Sequence, residues 1–199
     1  MNSNLKRTII HEIGHFVAIE LNNKLFETGE CLGIELIEKF ANGVVDYEGL
    51  TKSNVNNDED EKTNMELLSQ RIAVLVYGCY FQCLFEGKKL NDCFGVNDTM
   101  LHGSTDREKY NITFPFEVGK EQRIETEKYL NKYLKSLEEF KEEFDKIFNQ
   151  DFNNILTREE NKIEINLKLL KDKLGDFLNL HIDKFKEFQE NINLIKSKK

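Results

Sequence analysis

The chain has 199 residues and a formal net charge of −8, which argues against a surface that binds nucleic acid. A single Pro, no Trp and 15 Phe beside abundant Lys, Glu and Leu favour a largely helical protein of one or two domains. No uncharged apolar run approaches about 18 residues and no signal-peptide pattern is present, so we expect no membrane segment.

Residues 3–22 are predicted to form the first helix, with Ser3 as its N-cap. The prediction depends on apolar residues at helical spacing. These residues are Leu5, Ile9, Ile13, Phe16 and Val17.

This helix contains the sequence His-Glu-Ile-Gly-His at residues 11–15. Residues four apart lie on one face of a helix, so His11 and His15 can bind the same metal ion. Glu12 points to the side, where its carboxylate can hold a metal-bound water. Two His, one Glu as general base and an open coordination position are typical of zinc-dependent peptidases.

The alternative interpretation is an amphipathic helix with two half-buried His. Gly14 argues against it, because a glycine inside a helix costs about 1 kcal/mol relative to Ala. The close approach of another backbone explains this glycine better.

Residues 31–37 and 43–48 are predicted to form an antiparallel hairpin, because Asn42-Gly43 is a strong turn signal. A polar loop follows at residues 52–62. Thr63 to Glu66 form a capping box that begins a second helix. This helix ends at Glu86, with Gly87 as the C′ residue, and its apolar composition predicts a buried central helix.

The rest of the chain is predicted to be irregular over residues 88–117 and helical afterwards. A second capping box, Thr157 to Glu160, is predicted to begin the last helix. Its apolar stripe and that of the preceding helix predict an antiparallel helical hairpin. The fold class is therefore mainly α (α+β), with a zinc domain at residues 1–117 and a C-terminal helical hairpin at residues 118–199.

The four cysteines show no paired framework of the kind found in small secreted proteins. They are Cys31, Cys79, Cys83 and Cys93. We expect buried free thiols in a reducing cytoplasm, with a second metal site at Cys79 and Cys83 as the alternative.

A catalytic zinc usually has a third protein ligand besides water. Residues 16–21 contain no His, and no downstream Glu has a clear signature. The candidates from the sequence are Asp106, which ends Gly-Ser-Thr-Asp, and its rivals Asp98 and His102. His181 is interpreted as an ordinary half-buried residue of the last helix.

The order of these segments resembles the peptidase domain of FtsH-type zinc metallopeptidases. That family has an H-E-x-G-H-type helix, a hairpin with a Leu-Gly pair, a buried helix with a glycine, and a Gly-Ala/Ser-x-Asp motif. The corresponding segments here are His11–His15, Leu32-Gly33, Ile72–Gly78 and Gly103–Asp106. The resemblance covers residues 1–110 and implies that Asp106 is the third zinc ligand.

The chain departs from this family in three respects. Ile13 replaces the Ala that precedes the glycine, and Phe81-Gln82 replaces the Ala-Glu of the buried helix. No Walker-A phosphate loop occurs, so the resemblance excludes the ATPase domain and does not imply ATP-driven degradation.

The sequence therefore predicts a zinc metallopeptidase in which His11, His15 and Asp106 hold Zn²⁺ and Glu12 is the general base. Its partner is a peptide or protein substrate, and the resemblance implies that this substrate adds to the strand at Leu32–Ile37. The alternative is a non-catalytic zinc-binding interaction protein whose C-terminal helices bind partners or form a homo-oligomer. A zinc hydrolase with a non-peptide substrate is a third possibility.

Overall fold

The structure is a computed structural model, and it describes residues 1–41, 43–54, 65–94, 104–113 and 119–198. Helix α1 spans Ser3–Phe26 and is longer than predicted. Its N-cap is Asn2 and not Ser3, because the extended backbone of Asn2 lets its side chain accept a hydrogen bond from the Asn4 amide at 2.8 Å.

Strands β1, Cys31–Ala41, and β2, Val44–Ser53, form the predicted antiparallel hairpin and extend beyond its predicted bounds. Ala41 pairs with Val44, and Gly43 has the positive φ of 76° that a tight turn requires. Asn42 lies outside the described residues. The hairpin prediction is thus confirmed.

The predicted helix start at Thr157 is wrong, because residues 156–165 form a second β-hairpin. Its strands are β3, Leu156–Glu159, and β4, Lys162–Ile165. Strand β4 pairs with β1, and the sheet order is β2-β1-β4-β3. Ile163 and Ile165 are buried and alternate with polar residues, which is the period of a strand.

Helix α2 spans Met65–Glu86 and ends at Gly87, whose φ is 65°, as predicted. Thr63 of the predicted capping box lies outside the described residues. The prediction of an irregular segment at residues 88–117 is wrong where the structure describes it, because this segment includes two helices. They are α3, Leu90–Cys93, and α4, Ser104–Thr113.

The described part of the C-terminal segment, residues 119–198, contains three α-helices. They are α5, Lys120–Ser136, α6, Lys141–Phe148, and α7, Leu167–Ser197. A 3₁₀ turn at Leu137–Phe140 separates α5 from α6. Asn166 caps α7 by accepting a hydrogen bond from the Leu169 amide at 3.1 Å. The long last helix is confirmed, but the β-hairpin precedes it.

One hydrophobic cluster joins the two segments that the sequence analysis separated at residue 118. Tyr77 of α2 packs edge-on against Phe185 and Phe188 of α7, and Leu170 is fully buried. The apolar stripe of α7 therefore covers α2 within the chain. The mainly α (α+β) class is confirmed, whereas the domain division and the homo-oligomer stay predictions. Among the described residues, no helix has the length and apolar character needed to cross a membrane.

His181 lies inside this cluster and is fully buried, not half-buried as predicted. Its Nε2 contacts the Tyr77 hydroxyl at 3.2 Å, and its Nδ1 has no hydrogen-bond partner among the described residues. Burial, and then the charge of Lys184, lowers the pKa of His181 from 6.5 to about 3. The imidazole is therefore neutral inside the core.

We expect His181 to make the protein less stable in acid. Between pH 6.5 and about 3 the unfolded chain binds a proton at His181 that the folded chain excludes. The free energy of unfolding should then fall by about 1.4 kcal/mol per pH unit from this residue. Urea unfolding at several pH values measures the slope. His181→Phe should flatten it in that window, and an equal slope in both proteins would contradict the assignment.

Candidate metal centre

Helix α1 places His11 and His15 side by side in the interior. Their side chains point the same way from consecutive turns, and their Nε2 atoms lie 3.0 Å apart. Only 3% of His11 and 7% of His15 is exposed. The chain therefore buries two imidazole nitrogens at one position.

Gly14 lets α2 approach this part of α1. A Cβ atom at Gly14 would lie 2.3 Å from the carbonyl oxygen of Tyr77 and 2.8 Å from Cα of Gly78. The prediction that another backbone passes close to Gly14 is confirmed. The two helices thus contact at the level of the His pair.

Hydrogen bonds from the other ring nitrogens fix the orientation of both imidazoles. His15 Nδ1 donates to the carbonyl oxygen of Val74 at 2.7 Å. His11 Nδ1 donates to Gln82 Oε1 at 3.2 Å, and the Gln82 amide donates in turn to Glu86 at 3.1 Å. A neutral imidazole that donates through Nδ1 has a lone pair on Nε2. Both Nε2 atoms are therefore arranged as ligands, with the supporting partners that metal-binding His usually have.

Asp106 brings a carboxylate to the same position. It lies in the first turn of α4, is 7% exposed, and its Oδ2 is 3.0 Å from His11 Nε2 and 3.4 Å from His15 Nε2. Ligand atoms bound tetrahedrally to zinc at about 2.0–2.1 Å lie about 3.3 Å from one another. The spacing of these three atoms fits a single zinc ion.

The electrostatics of the three residues also favour a cation. Burial lowers the pKa of His15, but the carboxylate of Asp106 outweighs burial and raises this pKa to about 9. Burial raises the pKa of Asp106, but the charges and hydrogen bonds of His15 and His11 hold it well below its usual range. The cluster therefore stabilises one positive charge between its ligand atoms, as a proton or as a metal ion.

Glu12 lies next to the His pair and under β2. Its Oε2 accepts a hydrogen bond from the Thr51 hydroxyl at 2.6 Å, and only 4% of the residue is exposed. A Cβ atom at Gly49 would lie 2.2 Å from Glu12 Oε1, so the strand has room for this side chain only because residue 49 is a glycine. The ligand atoms of His11, Glu12 and His15 all lie within 4.8 Å of one another. A buried carboxylate is thus held beside the two imidazoles.

Cys79 is a further potential ligand in the same place. The ligand atoms of His11, Cys79 and Asp106 also lie within 4.8 Å of one another. Burial raises the pKa of the Cys79 thiol, and the charge of Asp106 adds to this effect. All four cysteines are buried and free, which confirms the interpretation of buried free thiols.

The structure brings together four of the residues that the sequence pointed to, namely His11, Glu12, His15 and Asp106. Asp98 and His102, the rival third ligands, lie outside the described residues. His181 belongs to the aromatic cluster.

Sequence reasoning missed the residues that support the ligands. They are Gly49, Thr51, the Val74 carbonyl group and Gln82, the partner of His11. The sequence analysis considered Cys79 only for a separate metal site with Cys83 and did not place it beside His11 and Asp106. Gly78, a glycine inside an otherwise apolar helix, could have predicted close packing at this point of α2. The positions of the other residues depend on how α2 and β2 pack against α1, and no local sequence pattern predicts this packing.

The predicted substrate strand needs a correction. Residues Glu35–Ile37 of β1 pair with β4, so they have no free edge for an added strand. Among the described strands, β2 lies at the end of the sheet, beside Glu12.

No family model, no curated protein and no solved structure matches this chain. The function is therefore inferred from the geometry of the site, and the resemblance to FtsH-type peptidases stays an expectation.

Gly78 leads to a direct test of this geometry. A Cβ atom there would lie 2.6 Å from His15 Nε2 and 2.9 Å from His11 Nε2. We expect Gly78→Ala to weaken zinc binding on the order of 10–100-fold, the range for changes that disturb ligand orientation. Competition with a chromophoric chelator measures the affinity.

Gly175 provides the matched control, because it lies in helix α7 and, apart from its own stretch of helix, no described residue has a heavy atom within 4 Å of an added Cβ. Gly175→Ala should keep zinc binding and gain up to about 1 kcal/mol of stability from helix propensity. Equal zinc affinity in Gly78→Ala and wild type would show that the imidazoles are not where a metal binds.

Proposed function

We propose that this chain is a zinc-dependent metallopeptidase with Zn²⁺ bound by His11, His15 and Asp106. The observation that carries the proposal is the convergence of two Nε2 atoms and one carboxylate oxygen, 3.0 to 3.4 Å apart, in a buried site. The neighbouring carboxylate of Glu12 supports a catalytic role, because a purely structural zinc site needs no base. The resemblance of the segment order to FtsH-type peptidase domains agrees with this function.

Glu12 is the general base in this proposal. When bound, zinc polarises a water molecule and the carbonyl group of the scissile peptide bond. Glu12 takes the proton from this water and returns it to the leaving amine. The Thr51 hydroxyl holds the carboxylate in place through Oε2. Val74 and Gln82 keep the two imidazoles in the tautomer that presents Nε2.

The proposed substrate is an extended peptide or protein segment that adds to the outer edge of β2 beyond Tyr47. The carbonyl oxygens of Val45 and Tyr47 already accept hydrogen bonds from Asn4 and Thr8 of α1. This strand ends the described sheet, and its residues Gly49 and Thr51 contact Glu12. A strand that pairs with this edge gains main-chain hydrogen bonds and brings its peptide bonds past the base.

The second candidate is a non-catalytic protein that holds structural zinc and binds partners through its C-terminal helices. Cys79 favours this candidate, because its Sγ belongs to the same group of ligand atoms as His11 and Asp106. Structural zinc sites commonly have four protein ligands and include Cys. Hydrolysis of denatured casein, with zinc content determined on the same preparation, separates the two candidates.

Zinc content tests the site itself. We expect about one zinc per chain in the purified protein, because neutral imidazoles at i and i+4 with a carboxylate form a three-ligand site. His11→Ala and His15→Ala should each lose the metal in elemental analysis. His181→Phe removes a buried His elsewhere and should keep it. Full retention of zinc in both ligand variants would rule out the proposed site.

A further inference from the structure

Cys79 lies on α2 directly after Gly78, the glycine that faces both imidazoles. It is fully buried, and its Sγ is within 4.8 Å of the ligand atoms of His11 and Asp106. The thiol donates a hydrogen bond to the Cys93 carbonyl oxygen at 3.5 Å. A thiol is a weak donor, so this contact gives little resistance to a change of partner.

The distances place Sγ close to the position of a metal bound by His11 and Asp106. Zinc binds sulfur at about 2.3 Å and nitrogen at about 2.0–2.1 Å, so a tetrahedral site needs these two atoms about 3.5 Å apart. Sγ lies within 4.8 Å of the ligand atoms of His11 and Asp106, so it is at most about 1.3 Å further from each than this spacing.

We propose that Cys79 is a fourth protein ligand of this metal, which it shares with His11, His15 and Asp106. This inference rests on the metal site of the proposed function and adds a ligand to it. Coordination occurs through the thiolate, and the thiol proton goes to solvent. With Cys79 bound, the metal would have four protein ligands, and Sγ would have to leave the metal as a thiol, with a proton regained from the incoming water, before hydrolysis could begin. A sulfur ligand also makes the site selective for thiophilic metals such as zinc and cadmium.

Cobalt(II) substitution tests this ligand. A cysteine thiolate bound to Co²⁺ gives a near-ultraviolet charge-transfer band, whereas nitrogen and oxygen ligands give only the weaker visible bands. We expect the charge-transfer band in the wild-type protein and its loss in Cys79→Ser and Cys79→Ala, with the visible bands retained. The zinc and cadmium affinities of both variants should fall at least about 10-fold. This is the smallest loss expected when a residue that only supports a metal ligand is replaced.

Cys83→Ser is the matched control, because Cys83 lies one turn further along α2 and donates to the Lys89 carbonyl oxygen. This variant should keep both the charge-transfer band and the metal affinity. Circular dichroism and thermal unfolding show whether each variant folds. Two substitutions at residue 79, Ser and Ala, keep the test valid if one of these variants misfolds.

The outcomes separate this inference from the proposed function. Visible Co²⁺ bands without a charge-transfer band in the wild type would overturn the role of Cys79 and leave the His-His-Asp site standing. A charge-transfer band that survives in both Cys79 variants, or that disappears in Cys83→Ser, would also overturn it. A wild-type protein that binds no Co²⁺ or Zn²⁺ would overturn both proposals.

Discussion

Replacing Glu12 with glutamine is expected to reduce peptide hydrolysis by a factor of roughly 10²–10⁴ while zinc stays bound. Glutamine has nearly the same shape and can still accept the hydrogen bond of Thr51, so the packing under β2 is preserved. An amide cannot take a proton from the metal-bound water. The rate is measured with denatured casein, and zinc content is determined for each sample.

Glu20 provides the matched control for this substitution. It lies two turns further along α1, is 7% exposed, and forms an ion pair with Lys171 at 3.1 Å. Glu20→Gln therefore removes a buried carboxylate from the same helix without contacting the metal ligands. It should leave the rate per bound zinc unchanged. Unchanged turnover in Glu12→Gln would rule out its role as the base.

Replacing Asp106 with alanine is expected to weaken zinc binding by more than about 100-fold. This exceeds the loss expected when a residue that only supports a metal ligand is replaced. The substitution removes the only carboxylate that contacts both Nε2 atoms among the described residues. It also removes the charge that raises the pKa of His15, although the hydrogen bond to Val74 remains. Chelator competition measures the zinc affinity of the variant and of wild type.

Asp98→Ala is the comparison for this experiment, because Asp98 is the rival third ligand from the sequence. Its zinc affinity should remain close to that of wild type. A larger loss of zinc affinity in Asp98→Ala than in Asp106→Ala would assign the third ligand to Asp98. It would also show that the contacts of Asp106 with the two imidazoles do not serve zinc binding.

The central part of the site could be predicted because it depends on local periodicity. His11, Glu12 and His15 lie on one helix, and the i, i+4 spacing alone brings the two imidazoles together. Asp106 was predicted from a motif that resembles a known family, and the structure places it at the His pair. The close approach of another backbone at Gly14 was predicted because a glycine inside a helix is costly and close packing explains its presence.

Other features could not be predicted because they depend on contacts that are distant in sequence. Ile163 continues the apolar spacing of Leu167 and Leu170, so residues 162–165 fit a helical stripe as well as a strand. Pairing of Ile163 with Leu36 of β1 selects the strand.

The surroundings of the proposed metal ligands also depend on contacts that are distant in sequence. Thr51 acquires its role only because β2 passes over Glu12, and Gln82 does so only because α2 contacts α1. Neither residue belongs to a pattern that its neighbours in sequence reveal.

Restoration of activity by zinc tests the central claim most directly. The purified protein is stripped of metal with a chelator, and hydrolysis of denatured casein is followed as zinc is added back. The proposed function predicts that the rate rises in proportion to bound zinc and levels off at about one zinc per chain. A protein that binds one zinc per chain and hydrolyses casein no faster than the metal-free form would contradict it.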